Sequence, residues 1–244
     1  RDSVASRGLG DVYKRQGYLI PEIDLGGGYG IAYTPADAPA PGAADFAAGL
    51  YQVIQNACDE LEQPFPRVSV EPGRAIAGPS TITLYRVVNI KDQPVGQHRD
   101  GSLSYRRYVS IDGGMSDNIR PALYDANYTI ALANRRSMAP LTPCRVVGSH
   151  CESGDVVVKD VALPADLTEG DLLAVPATGA YGWAMSSNYN WFTRPGVLGV
   201  DQDNSGTVIT KWLLEPETVD AMLAHFDPQY REFLDTRPAD TVNV

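Results

Sequence analysis

Two apolar runs of strand length, each stopping at a glycine-containing turn and separated by one helical stretch, constrain this chain more than any other feature. Residues 18–25 run into Gly26-Gly27-Gly28, and Arg67-Val68-Ser69-Val70 runs into Glu71-Pro72-Gly73-Arg74. Between them Phe46, Leu50, Val53, Ile54, Ala57 and Leu61 recur at helical spacing behind Asp45, a cap or first-turn carboxylate that suits the helix dipole. Pro64 and Pro66 close that helix. Residues 18–74 therefore read strand, helix, strand. In parallel α/β architectures ligands gather at the carboxyl ends of strands, and both glycine turns occupy such ends.

From about Thr81 the pattern changes to short β-rich runs: 82–90, 105–111, 144–147, 155–158, 172–175 and 207–214, punctuated by Gly, Pro and Asp. That spacing predicts a second domain, an antiparallel β-sandwich or barrel. Val219, Met222, Leu223, Phe226 and Phe233 predict one or two helices at the tail. The expected division is residues 17–80, an α/β unit, and residues 81–244, a β-domain with terminal helices. Residues 1–16 carry three Arg, one Lys and two Ser with no apolar core, so they are no signal peptide and read as a leader foreign to the domain.

Composition narrows the function classes. A formal net charge of −10 and the lack of any Lys/Arg block argue against a nucleic-acid partner, which needs a cationic surface. No apolar run approaches the roughly 18 residues that span a bilayer, which argues against a membrane protein. Cys58, Cys144 and Cys151 form neither a CxxC pair nor an even framework, and His98, His150 and His225 have no metal-ligand spacing, so no metal is expected. A reducing cytoplasm suits such cysteines.

Several blocks carry chemistry. Consecutive glycines let backbone N–H groups approach an anion, so Gly26–Gly28 fits either a phosphate site or a simple tight turn. The dinucleotide pattern fails, because Ile31 stands where its third glycine belongs. Glu71-Pro72-Gly73-Arg74 can aim a carboxylate and a guanidinium into one cleft, or merely end a strand in an ion pair. Asp112–Asn118 with Arg120 and Tyr124 is a glycine-rich bend bearing either a ligand arginine or a surface one. Cys151-Glu152-Ser153-Gly154-Asp155 sets a thiol beside a charge that is costly to bury, which predicts a wet, polar cleft in place of a core cysteine. Tyr181, between Ala180 and Gly182, by itself fits aromatic packing. Cys58 and Cys144 read as core, and His150 beside Cys151 is a candidate proton relay.

Taken in chain order over roughly residues 17–215, these blocks resemble the pyridoxal-phosphate amino-acid decarboxylases of alanine-racemase fold, the ornithine/diaminopimelate/arginine decarboxylase family, and most closely its diaminopimelate branch. The resemblance implies the terminal part of a pyridoxal-phosphate-binding (β/α)8 barrel followed by a β-domain of the alanine-racemase carboxyl-terminal type. It implies pyridoxal 5'-phosphate as cofactor, with Gly27, Gly28, Gly73 and Arg74 at its phosphate, Glu71 on its pyridine nitrogen and Tyr181 beside it. Arg74 and Tyr181 would also meet the substrate. Arg120 and Tyr124 would grip a distal carboxylate, Glu152 would read a distal ammonium, and Cys151 would donate the proton that replaces CO2. The implied reaction converts meso-diaminopimelate to L-lysine, in a homodimer whose partner subunit receives Cys151 and Glu152. Ile119 stands where the family commonly has Pro.

The family's Schiff-base lysine belongs to an early barrel strand that these residues do not include. Lys14 lacks a flanking apolar strand, and Lys91, Lys159 and Lys211 match no such motif. The chain thus resembles a carboxyl-terminal portion of a decarboxylase, inactive alone, with open strand edges and exposed apolar surface in its barrel piece. A decarboxylase of another basic amino acid or of carboxynorspermidine, and a catalytically silent regulatory paralogue, are the alternatives.

Overall fold

The computed structural model describes residue 17, residues 19–226 and residue 232, so the leader expected at 1–16, Tyr18 and Phe233 lie outside the described residues. The chain divides into two compact units. One comprises the described residues up to Thr83 together with Ala174–Tyr181; the other comprises Leu84–Leu173 and the described residues from Gly182 onward.

In the first unit β1 (Glu22–Asp24) pairs in parallel with β2 (Arg67–Ser69), Glu22 opposite Arg67. The intervening helix α1 (Ala43–Leu61) makes this a βαβ unit, with a first strand shorter than the apolar run that predicted it. Gly42 is the N-cap without a side-chain cap bond, so Asp45 acts from the first turn. Glu62, left-handed at φ 50°, ends the helix before Pro64 is reached. Ile54 and Cys58 are buried on the stripe that continues Phe46 and Leu50 at four-residue steps, whereas Val53 is 67% exposed. Ala57, one turn after Val53, is exposed too, so the expected apolar face was too wide on that side, because positions 53 and 57 each turn about 100° away from the buried 54 and 58. A short helix, α2 (Gly73–Ala77), follows β2.

Among the described residues β1 and β2 pair only with each other, leaving both outer edges of this small sheet open. An apolar cavity of about 960 Å³ runs along α1, bounded by Tyr29, Phe46, Leu50, Ile54, Phe65 and Val68. Its lining holds no carboxylate, amine or thiol. It offers apolar surface and no reactive group.

The second unit is organised by a six-stranded sheet in the order β5-β8-β3-β4-β6-β7. Its strands are β3 (Thr83–Gln97), β4 (Leu103–Ile111), β5 (Ala131–Leu132), β6 (Leu141–Val147), β7 (Val156–Pro164) and β8 (Leu172–Val175). Val87, Val109, Ile111, Val146, Leu163 and Leu173 are almost wholly buried and form its core. β3 continues through Pro94, beyond the expected end at Ile90, because a register shift between Pro94 and Gly96 absorbs the missing N–H. A separate ribbon pairs β9 (Val197–Gln202) with β10 (Val208–Leu214). β9 escaped the sequence reading because Pro195, Gly196 and Gly199 punctuate it like a loop. The tail contributes α4 (Val219–Leu223), capped by the Thr218 hydroxyl.

One pairing departs from the antiparallel expectation: β4 and β6 run parallel, Arg107 opposite Cys144 and Ser110 opposite Val147. Parallel neighbours need a long crossover, here residues 112–140, which carries the glycine-rich bend and α3 (Arg120–Tyr124). The carboxyl ends of β4 and β6 therefore lie side by side. The loops that leave them, 112–118 and 148–155, emerge together.

Candidate functional site

In the first unit the two glycine turns are held against each other by backbone bonds. Leu25 N–H donates to the Ser69 carbonyl (3.0 Å) and Glu71 N–H to the Gly26 carbonyl (2.8 Å). Asp24 Oδ1 accepts the Gly26 N–H (2.8 Å), and Gly26 and Gly28 take φ of 67° and 93°, values that favour glycine. A Cβ on Gly27 would lie 2.8 Å from the Glu71 carbonyl oxygen, so only glycine fits this approach. The N–H groups of residues 27–30 meet no hydrogen-bond acceptor among the described residues. A row of unengaged amides on an exposed turn is what a phosphate oxygen requires.

Glu71 and Arg74 stand beside that row. Among the described residues neither side chain has a hydrogen-bonding or ion-pairing partner, so the strand-ending ion pair does not form. Tyr181 belongs to the same unit. Its hydroxyl lies 3.4 Å from where a Cβ on Gly73 would stand, and its ring is 43% exposed, so it is a neighbour of the turn and not core packing. Gly179 closes this corner, since a Cβ there would overlap the Ala77 carbonyl. These residues fit a pyridoxal phosphate: amides and a guanidinium for the phosphate, a carboxylate for the ring nitrogen, an aromatic beside them.

In the second unit Asp155 braces the two loops that leave β4 and β6. It is 3% exposed, and its carboxylate accepts the N–H of Met115 (2.8 Å) and of His150 (2.9 Å). A Cβ on Gly114 would lie 2.6 Å from it, and one on Gly148 would overlap it. Both glycines are therefore required by the brace. Ser149 adds its N–H to the Gly113 carbonyl (2.9 Å) and its hydroxyl to the Ile111 carbonyl (2.5 Å).

Cys151 and Glu152 sit at the exposed tip of this braced loop, as the cost of burying a charge requires. Glu152 Oε1 accepts from the Tyr189 hydroxyl at 2.5 Å, a bond that pushes the phenol above its ordinary pKa. His150 is buried, its Nε2 2.9 Å from the Ser116 hydroxyl and its ring packed on Phe192 and Tyr189 at 4.5 and 5.4 Å. Neither ring nitrogen contacts the thiol in these bonds, and the packed ring holds the loop. Tyr189, Ser116 and Asp155 were not singled out from sequence; Ser116, inside the glycine-rich bend, and Asp155, inside the cysteine motif, lay next to a chemical signal, and Tyr189 did not.

Arg120 and Tyr124 are the two ends of α3. Arg120 is not the surface arginine of the simpler reading: it is 8% exposed, donates to the Tyr128 hydroxyl at 3.0 Å and lies 6.0 Å from that ring's centroid. Tyr124 is 61% exposed. In the preceding bend, Asp117 accepts from the buried Tyr85 hydroxyl and from the Gly114 N–H (2.7 Å). Burial nevertheless pushes the Asp117 carboxyl above its ordinary range, and burial with the Asp117 charge pushes the Tyr85 phenol well up.

Cys58 and Cys144 are buried and Cys151 is exposed; all three are free thiols. Among the described residues no three His, Cys, Asp or Glu side chains group to hold a metal ion. No described helix is long and apolar enough to cross a membrane.

Comparison with known proteins agrees with this chemistry. Residues 46–179 match the family model of the pyridoxal-dependent decarboxylase C-terminal sheet domain, and residues 4–78 match that of the pyridoxal binding domain. The second match begins inside the segment read from composition as a foreign leader. The diaminopimelate decarboxylase of Mycobacterium tuberculosis is 49% identical over 205 residues, covering 84% of this chain and 43% of the relative. That of Corynebacterium efficiens is 47% identical over 226 residues, covering 91% and 47%. The crystal structure of the M. jannaschii diaminopimelate decarboxylase in co-complex with L-lysine superposes with a TM-score of 0.76 at 29% identity, covering 92% of this chain and 47% of that one. The chain thus spans less than half the length of these relatives. With a family model matched across more than half of its residues, the chain belongs to the pyridoxal-dependent decarboxylases.

Proposed function

We propose that the complete protein carrying this chain is a pyridoxal 5'-phosphate-dependent decarboxylase that converts meso-diaminopimelate to L-lysine and CO2. The observation that carries this reading is the row of amides at residues 27–30 beside Glu71 and Arg74, all of them without a partner among the described residues. Identity of 49% to a diaminopimelate decarboxylase supports the choice of substrate.

The bound cofactor supplies an electron sink for the bond that releases CO2. Gly27, Gly28, Gly73 and Arg74 would hold its phosphate, and the Glu71 carboxylate would keep a proton on the pyridine nitrogen. Tyr181 would stand beside the cofactor, and Arg74 and Tyr181 would also meet the substrate. At the far end of the substrate, the Arg120 guanidinium with Tyr124 binds the distal carboxylate and Glu152 accepts from the distal ammonium. Cys151 Sγ–H then gives its proton to the carbon that has lost CO2 and regains one from solvent. Cys151 and Glu152 act in the site of a partner subunit, which makes the protein a homodimer. A cytoplasmic location belongs to the same reading, and its free thiols support it.

Release of CO2 from meso-diaminopimelate, ornithine and arginine by the cofactor-loaded protein tests the reading. Turnover should be confined to diaminopimelate. Equal turnover of ornithine would sink it.

A further inference from the structure

Glu152 is an exposed side chain, and an exposed glutamate on a loop ordinarily samples several rotamers. Here it does not stand alone. The Tyr189 hydroxyl donates to Oε1 at 2.5 Å, which occupies one carboxylate oxygen and leaves Oε2 as the acceptor for an incoming donor.

Tyr189 is itself held in place. Its ring packs at 5.4 Å on the buried His150 ring, which Phe192 supports at 4.5 Å and the Ser116 hydroxyl anchors at 2.9 Å. The turn that carries it is pinned by Asn188, whose Nδ2 donates to the Phe192 carbonyl at 3.0 Å and to the Glu217 carboxylate. Asn190 and Trp191, at φ 53° and 61°, take left-handed backbone that redirects the chain directly after the tyrosine. A continuous set of contacts therefore runs from Ser116, in the glycine-rich bend, through His150 and Tyr189 to Glu152.

We propose that Tyr189 is the positioning residue that sets specificity for a distal ammonium: its hydroxyl fixes Glu152 in one rotamer, with a single oxygen presented to the substrate's far nitrogen. The inference rests on the reading of Glu152 given above and extends it to a residue that touches no substrate atom. A phenylalanine at 189 would keep the ring contacts with His150 and remove only the hydroxyl.

The test compares L-lysine with L-norleucine, the same carbon skeleton without the ammonium, binding to the complete cofactor-loaded protein and to its Tyr189→Phe, Glu152→Gln and doubly substituted forms by calorimetry. Tyr189→Phe should weaken L-lysine about tenfold and leave L-norleucine unchanged, as expected for losing one charge-assisted hydrogen bond. In the Glu152→Gln background the same change should cost less than twofold. In steady state the loss of kcat/KM on meso-diaminopimelate should be carried by KM. Equal weakening of both ligands, or an undiminished effect without Glu152, would overturn the role of Tyr189 while leaving the decarboxylase intact. A wild-type protein that neither binds L-lysine nor releases CO2 from meso-diaminopimelate would overturn the underlying reading and this inference with it.

Discussion

Asp155 accepts the backbone N–H of His150 at 2.9 Å with one carboxylate oxygen, while its other oxygen takes the N–H of Met115 at 2.8 Å. A buried carboxylate shared between two main-chain segments fixes their separation through bonds that use no other side chain of either.

Replacing Asp155 with Asn removes the charge and turns one acceptor into a donor facing an N–H. The protein should lose about 2–4 kcal/mol of stability. Denaturant unfolding measures that loss, and alkylation of Cys151 should quicken at the same time because its loop is no longer held. Unchanged stability would mean that the other bonds of Ser149 carry the brace.

Gly27→Ala places a methyl group 2.8 Å from the Glu71 carbonyl. The two turns must separate, and pyridoxal phosphate affinity, followed by absorbance titration, should fall tenfold or more. Gly49→Ala, in the middle of α1 with nothing within 4 Å of its Cβ, should leave that affinity unchanged and stabilise the fold by about 0.5–1 kcal/mol.

Asp171 is held below the ordinary carboxylate range chiefly by hydrogen bonds from Arg135, at 2.8 Å to each oxygen. A depressed folded-state pKa contributes stability that is present above the unfolded value and lost as pH falls through the folded one. Asp171→Asn should therefore lower the melting temperature most at neutral pH. The gap to wild type should close as the medium is acidified below about pH 4.

Asp117 has the opposite sign. Burial raises its carboxyl, so its contribution is full below the unfolded value and is lost as pH rises through the raised one. Asp117→Asn should flatten the decline of stability across that interval. An unaltered slope between wild type and variant would show that another group produces the decline.

The βαβ unit was legible because apolar runs, helical spacing and glycine turns all pointed the same way there. The positions of Gly27, Glu71 and Arg74 followed from it, since strand ends and turns are local features. What sequence could not supply was non-local. The parallel pairing of β4 with β6 depends on a 29-residue crossover, residues 112–140, whose register no short pattern encodes. Asp155 consequently read as the last residue of a motif, while its work is done 40 positions away at Met115. Tyr189, 37 positions from Glu152, carried no local signal at all. Arg120 could have been surface or site, and only its burial against Tyr128 removed the first option.

The brace at Asp155 grips peptide amides, which every residue except proline possesses. Natural variation can thus rewrite the side chain at 115 while the loop keeps its anchorage. Ligand preference at the loop tip is free to drift, and the scaffold beneath it stays under constraint at a carboxylate, two glycines and the side chains of Ser149 and His150.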